Sequence, residues 1–402
     1  MFPVHIYLVF IIMCKYSKLL LLILILLHIS CNRNSEIQNV IIDPKSNQVI
    51  HLSDIVESVR YIPLEITDNS VIGKIRYVYS YNNYYIVVSN NVICVYDKEG
   101  KFISNIGSRG RANNEYLYIT KAMFDERNAH IIIYDQHGNK LLYYTLSGEC
   151  DKVYVLKNDI RNDFQDIINL PNGNFLVYKY IHVSRNSKTI NSIREILPTG
   201  DVVATHWEEK VVQPSVVGSY NMSYAKNGNI AISSHEIVGE MQFNGEMDTI
   251  VMYNVNGPTS KTYEGIGNKE YSNNWINGKM FNACSWSTHI GRYILTKWSG
   301  EDNGNTFYSL YDCKNSDIQV GTRFDFITND GSMALPSLVG NPDCADAIDV
   351  VPTNMKDAII VPIFPELFIT SNKYSKYKHI VGNIENIEDT NPVLQIWNLK
   401  SN

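Results

Sequence analysis

Paired cysteines, basic blocks and membrane-length apolar runs are all missing from this chain. Its 7 cysteines include no Cys-x-x-Cys pair, so they describe neither a zinc site nor a disulfide framework. The apolar run from Leu19 to Leu27 falls short of the roughly 20 residues that cross a bilayer as a helix. Charged residues make up only 19% of the chain, and 35 Lys+Arg against 41 Asp+Glu leave a net charge of −6. Mild acidity without a basic block argues against nucleic acid as the main partner. Catalytic signatures are absent too: there is no Gly-x-Ser-x-Gly elbow, no phosphate-binding Gly-Lys-Ser/Thr loop and no His-Glu-x-x-His motif. No cofactor follows from the residues.

What is present is core material. The 402 residues are 45% hydrophobic, with 27 Tyr against 5 Trp, enough for one large domain or two ordinary ones. Nothing in the balance resembles a disordered chain.

Residues 1–31 stand apart. Lys15 and Lys18 precede the apolar run, and His28-Ile29-Ser30-Cys31 follows it. A short basic region, an apolar run and a small residue before Cys describe a secretory signal. Ser30-Cys31 resembles the lipobox of bacterial lipoproteins, with His28 where Leu is usual. That resemblance implies acylation of Cys31, export, and a lipid anchor in the cell envelope, at the outer membrane, facing the periplasm or the exterior. Residues 1–12 carry no charge ahead of their apolar stretch, so Met13 is an alternative start to Met1. The expected division is a signal over 1–30, a lipidated linker over 31–50 and a single domain over 51–402. Losing Lys15 and Lys18 with the signal deepens the charge from −6 to −8. Cys94, inside Val92-Ile93-Cys94-Val95-Tyr96, reads as a small buried hydrophobe.

From about residue 71 the chain becomes a train of short β-branched and aromatic runs divided by Asn, Gly and Asp. Tight Asn- and Gly-bearing turns reach positive φ cheaply and so make antiparallel hairpins. First hairpin turns fall near Asn82-Asn83, Glu126-Arg127, Pro171-Asn172-Gly173, Lys226-Asn227-Gly228, His289-Ile290-Gly291 and Thr353-Asn354. Their spacings, roughly 44 to 65 residues, suit four-stranded propeller blades. The prediction is an all-β, six-bladed β-propeller of four-stranded antiparallel blades. Short helices are expected over 366–388, before a closing strand at 393–399.

The segment from Leu52 to Glu65, followed by Ile72-Gly73-Lys74-Ile75, resembles the entry of the six-bladed β-propeller lipoproteins of Bacteroides-type bacteria. Their NHL-like blades, their Asp-x-x-Gly turn and their closing segment are matched by Asp97 to Gly100 and by Asn391-Pro392-Val393-Leu394. Glu115-Tyr116 ends the link between the first two blades as in that family, with Asn113-Asn114 where Pro-Gly is usual. The resemblance implies an exported, lipid-anchored protein and does not imply an enzyme.

In a propeller, the inter-blade links and the loops between second and third strands share one rim. Candidate ligand residues on it are Arg109 and Arg111 of the first link, then His137, His182, Arg185, His235, Glu236, Trp298 and Asp302 of successive loops. Polar loops on a rigid scaffold are the usual form of a binding surface. The arginines read as an anion clamp or as a solvated pair, and Trp298 as a sugar-stacking ring or as packing. No His-x-His or His-x₃-His spacing supports a metal, so none is assigned. Gly300 to Phe307 resembles the Asp-box of sialidase-type propellers, a hairpin element away from any catalytic centre. The leading expectation is a non-catalytic binding module for a glycan, a peptide or an envelope protein. The alternative is a lyase or hydrolase working from the rim with His137, His182, His235 and an arginine.

Overall fold

Buried runs explain the strands. Tyr84–Ser89 and Ile93–Asp97 are apolar at almost every position because each lies in a sheet covered on both faces. The chain reverses between Ile75–Tyr81 and Tyr84–Ser89 at Asn82, whose φ is 51°. At the next turn the Asp97 carboxylate accepts the Glu99 and Lys101 N–H groups at 3.0 and 2.9 Å. Gly100 sits there at φ 84°, and a Cβ on it would meet the Pro63 carbonyl oxygen at 2.1 Å. Only glycine satisfies both demands.

The structure, a computed structural model, describes residues 38–400 apart from 44, 47, 158–163, 184–187, 212–220, 225–228, 234–236, 242–246, 256–282, 291, 300–305, 338–347, 371 and 382–389. Two units are distinguished: Met1–Ile37, outside the described residues, and Gln38–Asn402. The second is all-β in small antiparallel sheets arranged as in a propeller.

The first sheet adds Phe102–Asn105 to the three strands just named. The second takes Lys121–Asp125, His130–Asp135, Lys140–Thr145 and Cys150–Val155. The third takes Phe164–Asn169, Phe175–Val183, Lys188–Ile196 and Val202–Val211. The fourth takes Asn221–Tyr224, Ile230–Ser233, Ile237–Met241 and Met247–Val255. The fifth takes Ala283–Ile290, Tyr293–Ser299, Thr306–Asp312 and Asp317–Gly321. Each runs in chain order from its first strand to its fourth.

Two expectations are corrected. The described residues show five blades of four or more strands, not six. The sheet that would be the sixth blade, Ala358–Ile363, Val393–Leu399 and Val56–Pro63, stops at three. Where a fourth strand would run, Val351 makes a single bridge to Ile360, and Pro352 beside it has no N–H with which to extend a ladder. The stretch 38–50 is also more than a linker. Gln38–Ile42 pairs in parallel with Met247–Val255, and Val49–His51 with Arg323–Asp325.

Apolar clusters fill the spaces between neighbouring sheets. Ile86, Val88 and Ile93 of the first pack with Ile131, Ile133 and Leu142 of the second. Tyr134 and Leu141 of the second meet Phe175 and Val177 of the third. Leu394 and Ile396 of the three-stranded sheet pack on Val78 and Val87 of the first. Closure comes from the chain's two ends: Val393–Leu399 pairs antiparallel with Val56–Pro63, setting Trp397 opposite Val59. Gln395, fully buried there, accepts the Leu335 N–H at 2.6 Å and donates to its carbonyl at 2.7 Å. Before that strand stand α1 (Leu367–Thr370) and a 3-10 helix, Ser375–Val381, as the sequence predicts. No helix among the described residues is long and apolar enough to cross a membrane.

Candidate functional site

The link from the first sheet to the second is a loop held by its own backbone and by the second sheet. Gly110 N–H donates to the Tyr116 carbonyl at 3.0 Å, and Tyr116 N–H to the Ser108 carbonyl at 3.1 Å. Glu115 turns back to accept the Ala112 N–H at 2.9 Å, so close to Gly110 that a Cβ there would meet Oε2 at 1.8 Å. From the second sheet, buried Lys140 donates to the Ala112 and Asn113 carbonyls at 3.1 and 3.0 Å. Tyr144 OH reaches the Asn114 carbonyl at 2.6 Å. The link thus meets the turn at Gln136 to Asn139, whose Asp135 spends one carboxylate oxygen on Gly138 N–H and the other on Leu117 N–H.

Between link and turn lies a cleft of about 620 Å³ lined by Arg109, Gly110, Arg111, Leu117, Tyr118 and His137. Arg109 Nε donates to the Leu117 carbonyl at 3.1 Å, which fixes its guanidinium. Tyr118 is 40% exposed and meets the His137 ring edge to face, with centroids 5.6 Å apart. Three residues singled out in the sequence, Arg109, Arg111 and His137, therefore share one cleft. Leu117 and Tyr118 escaped notice, because nothing local tells that Tyr118 faces outward while Tyr116, two residues before it, is buried.

Trp298 is corrected from rim to core. It is fully buried with Val40, Ile42 and Phe307, stacks on Phe307 at an interplanar angle of 9°, and donates Nε1–H to Ser309 Oγ at 2.8 Å. His182 lies in the strand Phe175–Val183, its side chain outside the described residues. Cys31, Arg185, His235, Glu236 and Asp302 also lie outside them. Among the described residues, no group of three His, Cys, Asp or Glu could hold a metal.

Two other chemical groups have structural explanations. Cys94 is buried, donates to Asn105 Oδ1 at 3.3 Å, and has its thiol pushed up to about 11 by burial, far from a nucleophile. Lys121 and Asp166 form a buried pair at 2.6 Å on the first strands of the second and third sheets. The second Asp166 oxygen accepts the Met222 N–H of the fourth sheet at 2.7 Å. One carboxylate thus ties three sheets together.

The family described as "Domain of unknown function (DUF4934)" matches residues 38–398. Among solved structures, a protein described as exported, from Bacteroides fragilis, is 16% identical at a TM-score of 0.65, over 90% of this chain and 100% of that one. A member of the DUF4221 family from Bacteroides vulgatus is 10% identical at 0.43, over 86% of this chain and 97% of its own. The extracellular domain of a two-component system from B. thetaiotaomicron is 16% identical at 0.36, over 72% and 32%. No curated protein matches.

Proposed function

Because the chain belongs to the DUF4934 family, and shares its fold with a Bacteroides protein described as exported, we propose that it is an exported binding module. In this reading Cys31 carries the lipid that holds it in the cell envelope, at the outer membrane, and its blades are of the NHL-like kind. The propeller then presents its link-and-turn rim to a glycan, peptide or envelope partner. The observation that carries the reading is the cleft of Arg109, Arg111, Tyr118 and His137, in which exposed polar side chains stand on a rigidly stapled loop.

Two experiments test it. Photo-crosslinking from a residue placed at Tyr118, in cells of the native host, is expected to capture a discrete partner that is lost when the crosslinker stands at exposed Val202, beside the first hairpin turn of the third sheet. Equal capture from both positions would sink the reading. Metabolic labelling with a fatty acid is expected to mark the wild type and not Cys31→Ser; label retained in that variant would remove the anchor from the proposal.

A further inference from the structure

The same cleft is lined by two arginines, and neither forms an ion pair among the described residues. Arg109 spends Nε on the Leu117 carbonyl, which leaves its two terminal amino groups without a partner among the described residues. Arg111 is exposed and makes no hydrogen bond or ion pair among them. The two carboxylates that touch the link bond to neutral groups and not to the arginines. Glu115 holds Ala112 N–H and Ser108 Oγ, and Asp135 is fully buried on Leu117 N–H and Gly138 N–H. Two arginines lining one cleft, neither in an ion pair with those carboxylates, match an oxyanion such as a carboxylate or a sulfate ester.

Charge is half of the surface. Beside the arginines, Tyr118 and His137 stand perpendicular, with Leu117 next to them, and make an apolar corner. A bare inorganic anion would leave that corner unused, and a neutral sugar would leave both arginines unused. A volume of about 620 Å³ suits more than a single ion. Resting on the binding reading above, we infer that the cleft takes an acidic carbohydrate. Its carboxylate or sulfate sits on Arg109 and Arg111, and the C–H face of its ring lies against Tyr118.

Calorimetric titration of the detergent-solubilised full chain tests this with four probes: trigalacturonate, its methyl ester, a sulfated galactotriose, and inorganic sulfate. At least one charged trisaccharide is expected to bind, and which one separates carboxylate from sulfate ester. Removing its charge, as in the methyl ester, should weaken binding about ten- to a hundredfold. Arg111→Gln should do the same while leaving the melting temperature unchanged, because Arg111 holds nothing else in place. Arg111→Lys should recover only part, since an ammonium lacks the fork. Tyr118→Ala should weaken the sugar acid and leave inorganic sulfate unaffected. Failure of both charged trisaccharides to bind would overturn the inference. So would equal affinity for acid and ester, an unchanged affinity in Arg111→Gln, or inorganic sulfate binding as well as the sugars. If the Tyr118 crosslink still captures a partner in Arg111→Gln cells, the binding reading stands and the acidic ligand falls; if nothing is captured from wild type either, both fall.

Discussion

A single carboxylate, Asp166, shows how residue-scale chemistry organises this protein. Burial alone would lower the pKa of Lys121, but Asp166 and Tyr77 outweigh it, and the ammonium is held above the usual lysine value of 10.5. A raised lysine pKa means stability that is complete below the unfolded value and lost as pH climbs through the folded one. Urea unfolding of wild type and Lys121→Met should therefore differ by about 3–5 kcal/mol at neutral pH, because the variant strands a buried charge. The gap should hold to about pH 10 and narrow above it. A gap independent of alkaline pH would show that the pair contributes packing only. Gly100 makes a second residue-scale case. Gly100→Ala would force a Cβ against the Pro63 carbonyl at positive φ and should cost about 1–3 kcal/mol in the same assay.

At the scale of elements, the hairpins were legible because their causes are local. Asn82, Gly100 and Gly173 sit at positive φ in turns that their own residue types announce. The link was half legible. Its arginines stand out by charge, but its staples come from Lys140 and Tyr144 on a strand about thirty residues away in sequence. Lys140→Met should release the tip of the link. Amide exchange at Ala112, Glu115 and Tyr116 should accelerate at least tenfold, with a loss of about 1–3 kcal/mol in global stability. Unchanged exchange there would mean that the loop holds itself. Trp298 was misread at this same scale. A Trp near a long loop looks exposed until Val40 and Ile42, from a strand more than 250 residues earlier, are seen in its cluster. The missing fourth strand beside Ala358–Ile363 has the opposite lesson, since Pro352 was in view but its effect depends on which ladder it would have joined.

The whole molecule depends on closure. Val393–Leu399 is the middle strand of its sheet, buried through Trp397, and joins the chain's C-terminal end to Val56–Pro63. Asn391 seals the seam: it accepts the Ile72 N–H at 2.9 Å and donates to the Glu65 and Ser70 carbonyls at 2.9 and 2.7 Å. Truncation before Val393 should abolish the cooperative thermal transition, because two sheet edges and the faces packed on them open together. Trp397→Ala should keep one transition but lose about 3–5 kcal/mol. A truncated chain that still melts cooperatively would show that the sheets stand without the closing strand.

Local chemistry alone determined the strands and their tight turns. Propensity, patterning and turn stereochemistry act over a few residues, so they are written where they act. Tertiary structure decided the rest: five full blades among the described residues instead of six, two N-terminal strands in place of a linker, Trp298 inside, and Tyr118 outside in one cleft with Arg109 and Arg111. Those outcomes depend on which distant surface covers a side chain or completes a ladder, and that is settled only when the sheets pack.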